Sequence, residues 1–374
     1  MFDVGRLADR FIEMCRVNTP ARREAELVGL VQARLERLGL ECVRDEANAA
    51  TGGDSGNLIA TLPATAEALP LFFSCHFDTV EPNPGLKVVM EDGLIRSDGS
   101  TILGADDKAG MAPLLEAIEY LVTSGEPHGL IQLVLTVSEE VGLLGAHNLD
   151  RSLVRARHGY VLDTGPPVGS IVYTAPTQDT LEIAIEGRPA HAGFEPERGI
   201  SAIEIAADAI VHMHLGRIDH ETTANVGIIQ GGSATNVVCP HVTMWAEARS
   251  RNPEKLRFQV EHMRFALTNS AAARGGRVQV KVMRQYETYR LEPSDSVIVL
   301  ASEAAARLGL EVKLREAGGG SDANVFNTYG WQTCVLGTGM RNIHTHEECV
   351  HVDDLVRLAE WVVEICRAAR GVAA

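Results

Sequence analysis

Positive charge is scarce in this chain of 374 residues. Lys and Arg number 34 against 50 Asp and Glu, leaving a formal charge of −16 at pH 7. Nothing in such a balance offsets phosphate repulsion, so nucleic acid is excluded as an expected partner. Aromatic residues make up only 5%, and within a hydrophobic content of 45% the aliphatic residues and alanine must carry the packing. That is a globular composition, and the length suits two domains better than one. No apolar run reaches the ~18 residues of a membrane span, so no membrane partner is expected. The opening "MFDVGRLADRFIEMCRVNTP" is amphipathic, with acids where a signal peptide has none. The seven cysteines (15, 42, 75, 239, 334, 349 and 366) are odd in number, widely spaced and without a CxxC. They read as reduced core thiols of a cytoplasmic protein.

Apolar periodicity then orders the chain. Residues 4–16 and 24–39 have helical spacing, with Gly39 as a stop. A strand follows at 57–63, then a buried strand running into a loop over 69–80, and a short hairpin-like piece around "KVVMEDGLIRSDG". A helix is predicted over 109–123, with Pro113 tolerable only near its first turn. Next come a strand at 130–138, a short helix near 142–150 and a strand at 158–163. Apolar strands alternating with helices indicate an α/β fold with a mostly parallel sheet covered on both faces. The pattern changes near residue 175. "TLEIAIEG" alternates strictly, and a β-α-β-β-α-β order continues to about 283, as in a ferredoxin-like α+β domain. The βαβ style resumes with a helix at 294–308, the glycine-rich "EAGGGSDANVF", the strand "WQTCVLG" and a helix at 353–370. One domain (176–289) is therefore expected inside another (1–175 and 290–374).

Three apolar strands end in candidate metal ligands: His76 and Asp78, Glu139 and Glu140, and Asp163. In parallel sheets ligands bind beyond the carboxyl ends of the strands, so these sets should meet at one sheet edge. "HFD" has period-two spacing, and Asp78 is placed to accept the second imidazole N–H of a metal-bound His76. "GADDKAG" sets Asp106 and Asp107 before a helix. N-capping needs one acid, whereas a carboxylate shared between two cations explains a pair. "NIHTHEE" offers His344 and His346. Mixed nitrogen and oxygen ligands suit zinc, or cobalt or manganese. Five ligands with one bridging carboxylate fit a dinuclear site with ions ~3.5–4 Å apart, which activates a water. One glutamate of the Glu139–Glu140 pair would bind metal and its neighbour would move the water's proton.

The order "HFDTV", "GADDKAG", "SEEVGLLGA", "LDTG", "GRPAHAG", "GGSATNVV", "GGGSDANVF" and "NIHTHEECV" resembles the co-catalytic dinuclear zinc metallopeptidases, and most of all their peptidase T-like branch. The resemblance implies two zinc ions, one on His76 and Asp163, the other on Glu140 and His344, with Asp106 bridging and Asp107 merely intervening. It makes Asp78 the group that orients His76 and Glu139 the general base. His344 is preferred to His346 because only it lies four residues before a glutamate, Glu348. The inserted domain becomes a lid and homodimerisation domain. His191 would meet a substrate oxygen in its own or a partner's cleft, and Asn236, Arg249, Gly319 and Ser321 would contact substrate. The implied activity is hydrolysis of small peptides by a metal-bridging hydroxide, in the manner of a tripeptidase-like aminopeptidase. The alternative is an amidohydrolase of N-acyl amino acids with the same dinuclear site.

Overall fold

The computed structural model describes residues 2–372. The chain divides into two compact units, Met1–Thr174 with Arg290–Glu316 and Ser321–Ala374, and Ala175–Tyr289 with Ala317–Gly320.

The first unit is built on a nine-stranded sheet. Four neighbouring strands at its centre are parallel, in the order Ile131–Thr136, Leu71–His76, His158–Thr164 and Gln332–Gly337. "IQLVLT" and "LFFSCH" are buried at every position, as the near-continuous apolar runs require. Successive residues serve opposite faces. Phe72 packs edge-on against Phe326 and Trp331, while Phe73 stacks on Tyr160. Towards both edges the sheet turns antiparallel, with Leu58–Leu62 on Ile131–Thr136 and Ser170–Ala175 beside Gln332–Gly337. The edge strands Glu41–Arg44 and Lys313–Glu316 have no apolar face to betray them, since nearly every residue in them is exposed.

The helix expected at 109–123 spans Ala105–Ser124, but Asp106 and Asp107 lack helical dihedrals, so regular helix starts at Lys108. Pro113 therefore sits in the second turn, not the first. The loss of its N–H is tolerated there because the helix is buried and held by packing. Gly110 allows the close approach: a Cβ there would overlap the Leu162 carbonyl. The short helix near 142–150 is split into Leu144–His147 and a 3₁₀ turn, Arg151–Leu153. Within 69–80 the buried strand spans Leu71–His76 and then runs into a loop, as expected. The hairpin Val88–Glu91/Leu94–Ser97 turns on Asp92 and Gly93, both at positive φ (50° and 80°), the signature of a two-residue turn. Cys349–His351 adds a third strand to it, which ties the closing histidine segment to this hairpin.

The second unit carries an antiparallel sheet in the order Gly216–Arg217, Thr222–Gly231, His241–Ser250, Thr177–Glu186 and Arg277–Tyr286. Helices Ala202–His212 and Pro253–Arg274 pack on it through a core that includes Leu181, Ile183, Ile185, Ile205, Leu256 and Met263. Burial along Thr177–Glu186 alternates residue by residue, the period-two pattern visible in "TLEIAIEG".

All seven cysteines are free thiols and all but Cys42 are buried. Among the described residues no helix is long and apolar enough to cross a membrane.

Gly159 faces the ring of Phe72, and a Cβ at this position would overlap it. Gly159→Ala is expected to destabilise the protein by about 1–3 kcal/mol through overpacking, read as a lower midpoint in urea denaturation.

Candidate metal centre and active site

Strand register gathers the candidate ligands. Leu71↔Ile131 and His76↔Thr136 are level pairs, so residues 137–140 emerge beside His76. Ser74↔Val161 is level on the other side, which brings Asp163 opposite His76 two residues further on. The fourth parallel strand, Gln332–Gly337, leads into the segment that carries His344.

The donors meet as follows. His76 Nε2 lies 3.1 Å from Asp106 Oδ1, and His344 Nε2 lies 3.3 Å from Asp106 Oδ2 and 3.1 Å from Glu140 Oε1. Each oxygen of Asp106 thus faces a different imidazole. At this sheet edge two groups of donors each have their ligand atoms within 4.8 Å of one another: His76, Asp106 and Glu140, and His76, Asp107 and Asp163. Asp107, which the sequence pattern treats only as the intervening residue, is fully buried against His76 and Asp163. His346 stands elsewhere, with Nε2 3.0 Å from Glu81 and Nδ1 3.1 Å from the Gly99 carbonyl.

Side chains behind the donors hold them in place. The closer partner of His76 Nδ1 is the backbone carbonyl of Asp78, at 3.0 Å, and the Asp78 carboxylate is 3.4 Å away. That carboxylate chiefly accepts the backbone N–H groups of Glu139 and Glu140, at 2.9 and 3.1 Å. The orienting role expected of it is shared with its own main chain. Glu348 is buried and accepts from the N–H groups of Gly104 (2.6 Å) and Asp106 (3.0 Å), so the His344–Glu348 segment also anchors Asp106. The fully buried Lys108 donates to Thr19 Oγ1 at 3.0 Å.

The charges are strongly unbalanced. Burial pushes Glu139 well above the ordinary carboxylate range, against the pull of His76, and the nearby Asp322, Glu140 and Asp78 push the same way. Burial likewise raises Asp163 and Asp107, reinforced in each by Asp106. Asp106 is the exception: although burial raises it, hydrogen bonds from His344 and His76 hold it below the usual range. His344 is raised to about 10 by its hydrogen bonds to Asp106 and Glu140. Carboxylates outnumber cationic groups in this pocket, and Asp107 Oδ1 is buried with no hydrogen-bond partner among the described residues. Imidazole and carboxylate donors in such excess fit divalent cations, which would supply the missing positive charge.

Asp322, in the quoted "GGGSD", is a further buried carboxylate in this environment. It accepts from Thr136 Oγ1 and is pushed up to about 6 by burial. Ser321 is the N-cap of the helix Asp322–Thr328, its Oγ accepting from the Ala323 N–H, so a capping duty already engages that hydroxyl.

In the second unit, His191 and Asn236 lie on paired segments: His191 forms an isolated bridge with Val237, and the Ala192 N–H donates to the Asn236 carbonyl at 2.9 Å. His191 Nδ1 accepts the Gly193 N–H at 3.1 Å, and its ring lies against Phe194 with centroids 4.3 Å apart. A neutral imidazole accepting at Nδ1 carries its proton on Nε2. Arg249 already makes a bidentate pair with Glu247, at 3.0 and 2.8 Å, and its Nη1 edge is directed to the Tyr286 hydroxyl (3.4 Å) and to Gly319. Two of the three guanidinium nitrogens of Arg249, expected to contact substrate, are thus already engaged. The pairing was hidden because Glu247 and Arg249 look like ordinary alternating strand residues.

Residues 72–368 match the model of Peptidase family M20/M25/M40. Over 369 residues the chain is 44% identical to the protein YqjE of Bacillus subtilis (strain 168), covering 99% of this chain and 100% of that protein. Among solved structures, aminopeptidase PepT from Bacillus cereus ATCC 10987 aligns with a TM-score of 0.89 at 45% identity, over 98% of this chain and 99% of that one. A tripeptidase from Staphylococcus aureus subsp. aureus mu50 aligns with a TM-score of 0.95 at 39% identity, over 100% of both chains.

A ligand that binds only the folded state raises its melting point. Stripping divalent metal with a chelator is expected to lower the Tm in scanning calorimetry, and adding the metal back to restore it. An unchanged Tm would mean that the crowded carboxylates hold no cation.

Proposed function

The chain belongs to Peptidase family M20/M25/M40, a family of metal-dependent hydrolases, and from that membership we propose that it is a tripeptidase-like aminopeptidase that cleaves small peptides with two zinc ions. The observation that carries the reading is the turn at Glu139–Glu140. Glu140 stands among the donor atoms, while Glu139 belongs to neither donor group and has a carboxylate whose proton affinity is raised by burial.

In this reading His76, Asp163, Glu140 and His344 would hold the ions, with Asp106 shared between them, and the ions would supply Lewis acidity and lower the pKa of a water. Glu139 accepts the proton of that water as its oxygen bonds to the peptide carbonyl carbon. It returns the proton to the departing amine nitrogen as the C–N bond breaks, so the proton count closes within one turnover. Asp78 holds Glu139 for this through the backbone N–H of the same residue. His191, with its proton on Nε2, is the proposed donor to the carbonyl oxygen that gains charge. Asn236, Arg249, Gly319 and Ser321 are proposed as substrate contacts on family likeness.

Zinc is favoured by the mixed imidazole and carboxylate donors, with cobalt or manganese as substitutes. Seven free thiols support a reducing, cytoplasmic setting. A homodimer through the inserted unit is supported by the strand Thr222–Gly231. Gly216–Arg217 pairs only with its first residues, and Ile228 and Ile229 beyond them are about half exposed.

Glu139→Ala is expected to keep its metal by elemental analysis and to lose about 10²–10⁴-fold in kcat on a tripeptide, whereas Glu140→Ala should lose metal. Full activity in both variants would remove the proposed division of labour. A panel of tripeptides, dipeptides and N-acetyl and N-succinyl amino acids tests the substrate class. Preference for the acylated compounds would make the protein an amidohydrolase instead. Ile228→Lys with Ile229→Lys is expected to give monomers in sedimentation velocity; a dimer that survives would move the interface elsewhere.

A further inference from the structure

The turn that bears Glu139 and Glu140 has four consecutive backbone N–H groups received by side chains of three other segments. Val137 donates to Asn57 Oδ1 (3.1 Å), Ser138 to Glu24 Oε1 (2.9 Å), and Glu139 and Glu140 to Asp78 (2.9 and 3.1 Å). Ser138 has a φ of 55°, in the left-handed region, where a non-glycine residue is stable only if its surroundings over-determine it. Glu24 supplies most of that determination. The same Oε1 that takes the Ser138 N–H also accepts from Ser138 Oγ (3.0 Å) and from the Arg22 N–H (2.9 Å). Ser138 Oγ in turn accepts from Arg22 N–H at 3.2 Å. Glu24 is fully buried and is itself anchored, its backbone N–H donating to Asp54 Oδ1 at 2.9 Å. Hydrogen bonds in a buried, low-dielectric interior are stronger than the same bonds in water. Glu24 lies outside the residues matched by the family model and outside every strand-end motif.

We propose that Glu24 is a positioning residue for the hydrolytic step: its carboxylate holds Ser138 in the left-handed conformation and thereby aims the side chain of Glu139. The proposal rests on Glu139 being the proton carrier. Proton transfer demands hydrogen-bond reach between base and water, and a displacement of about 1 Å can cost up to ~10²-fold in rate. With Ser138 released, the turn keeps the Asp78 bonds but loses the contact that sets the direction in which the chain leaves the strand.

The test compares Glu24→Ala, Glu24→Gln and Glu24→Asp for kcat and KM on a tripeptide, bound metal, and hydrogen–deuterium exchange across residues 137–144. Glu24→Ala is expected to lower kcat by about 10–10²-fold with KM within about twofold and metal content unchanged, while the amides of 138–140 exchange faster. Glu24→Gln keeps an oxygen acceptor and should recover most of kcat. Glu24→Asp, which keeps the charge but withdraws it by one methylene, should behave as Glu24→Ala does, and it decides the matter if the alanine variant does not fold. Unchanged exchange at 138–140, or equal loss in the Gln and Ala variants, overturns the proposal. Faster exchange with unchanged kcat also overturns it, and places the fault in the assignment of Glu139 as proton carrier.

Discussion

One buried carboxylate, that of Asp78, takes the backbone N–H groups of two successive residues, Glu139 and Glu140, while its own main-chain carbonyl faces His76. These groups issue from neighbouring parallel strands. The contact therefore locks the spacing between the strand ends on which the site depends. A bond of this kind, ionic acceptor to main-chain donor in a dry interior, costs little side-chain freedom on the donor side and is hard to rearrange. Glu348 does the corresponding work across the cluster, joining the closing histidine segment to the backbone at Gly104 and Asp106.

Such preorganisation comes with crowding of like charge. Asp106, Asp107 and Asp163 are drawn together with Glu139 and Glu140, and burial raises the proton affinity of Asp107, Asp163 and Glu139. His76, His344 and the buried Lys108 offset only part of that repulsion. Donor groups crowded in this way at one sheet edge could hold divalent cations, in keeping with membership of a metal-dependent peptidase family. The proton affinity of Glu139 is raised first by its burial, and the neighbouring Asp322, Glu140 and Asp78 push the same way.

Particular residues mark how much was legible beforehand. His76, Asp163 and the Glu139–Glu140 pair could be found because each follows a run of apolar residues, and a buried parallel strand announces both itself and its carboxyl end. Asp106 and His344 needed the spacing of their neighbours, Lys108 and Glu348. The inserted unit was visible in the strict alternation of "TLEIAIEG" and the helices around it. Glu41–Arg44 and Lys313–Glu316 escaped notice, because an exposed edge strand has no periodic apolar face. Glu24, Asn57 and Asp322 escaped for a different reason. Each acts on a residue more than fifty positions away in the chain, and local pattern carries no record of such a partner.

The sequence by itself determined most of the elements and their order, since hydrophobic period and residue type are local properties. Only the tertiary structure decided which side of Asp106 meets which histidine, that Asp107 and Asp322 are buried with the cluster, that His346 turns away to Glu81, and that Glu247 already grips Arg249. Those outcomes depend on strand register and on hydrogen bonds between distant segments, and both are set only when the chain packs and buried polar groups must seek partners.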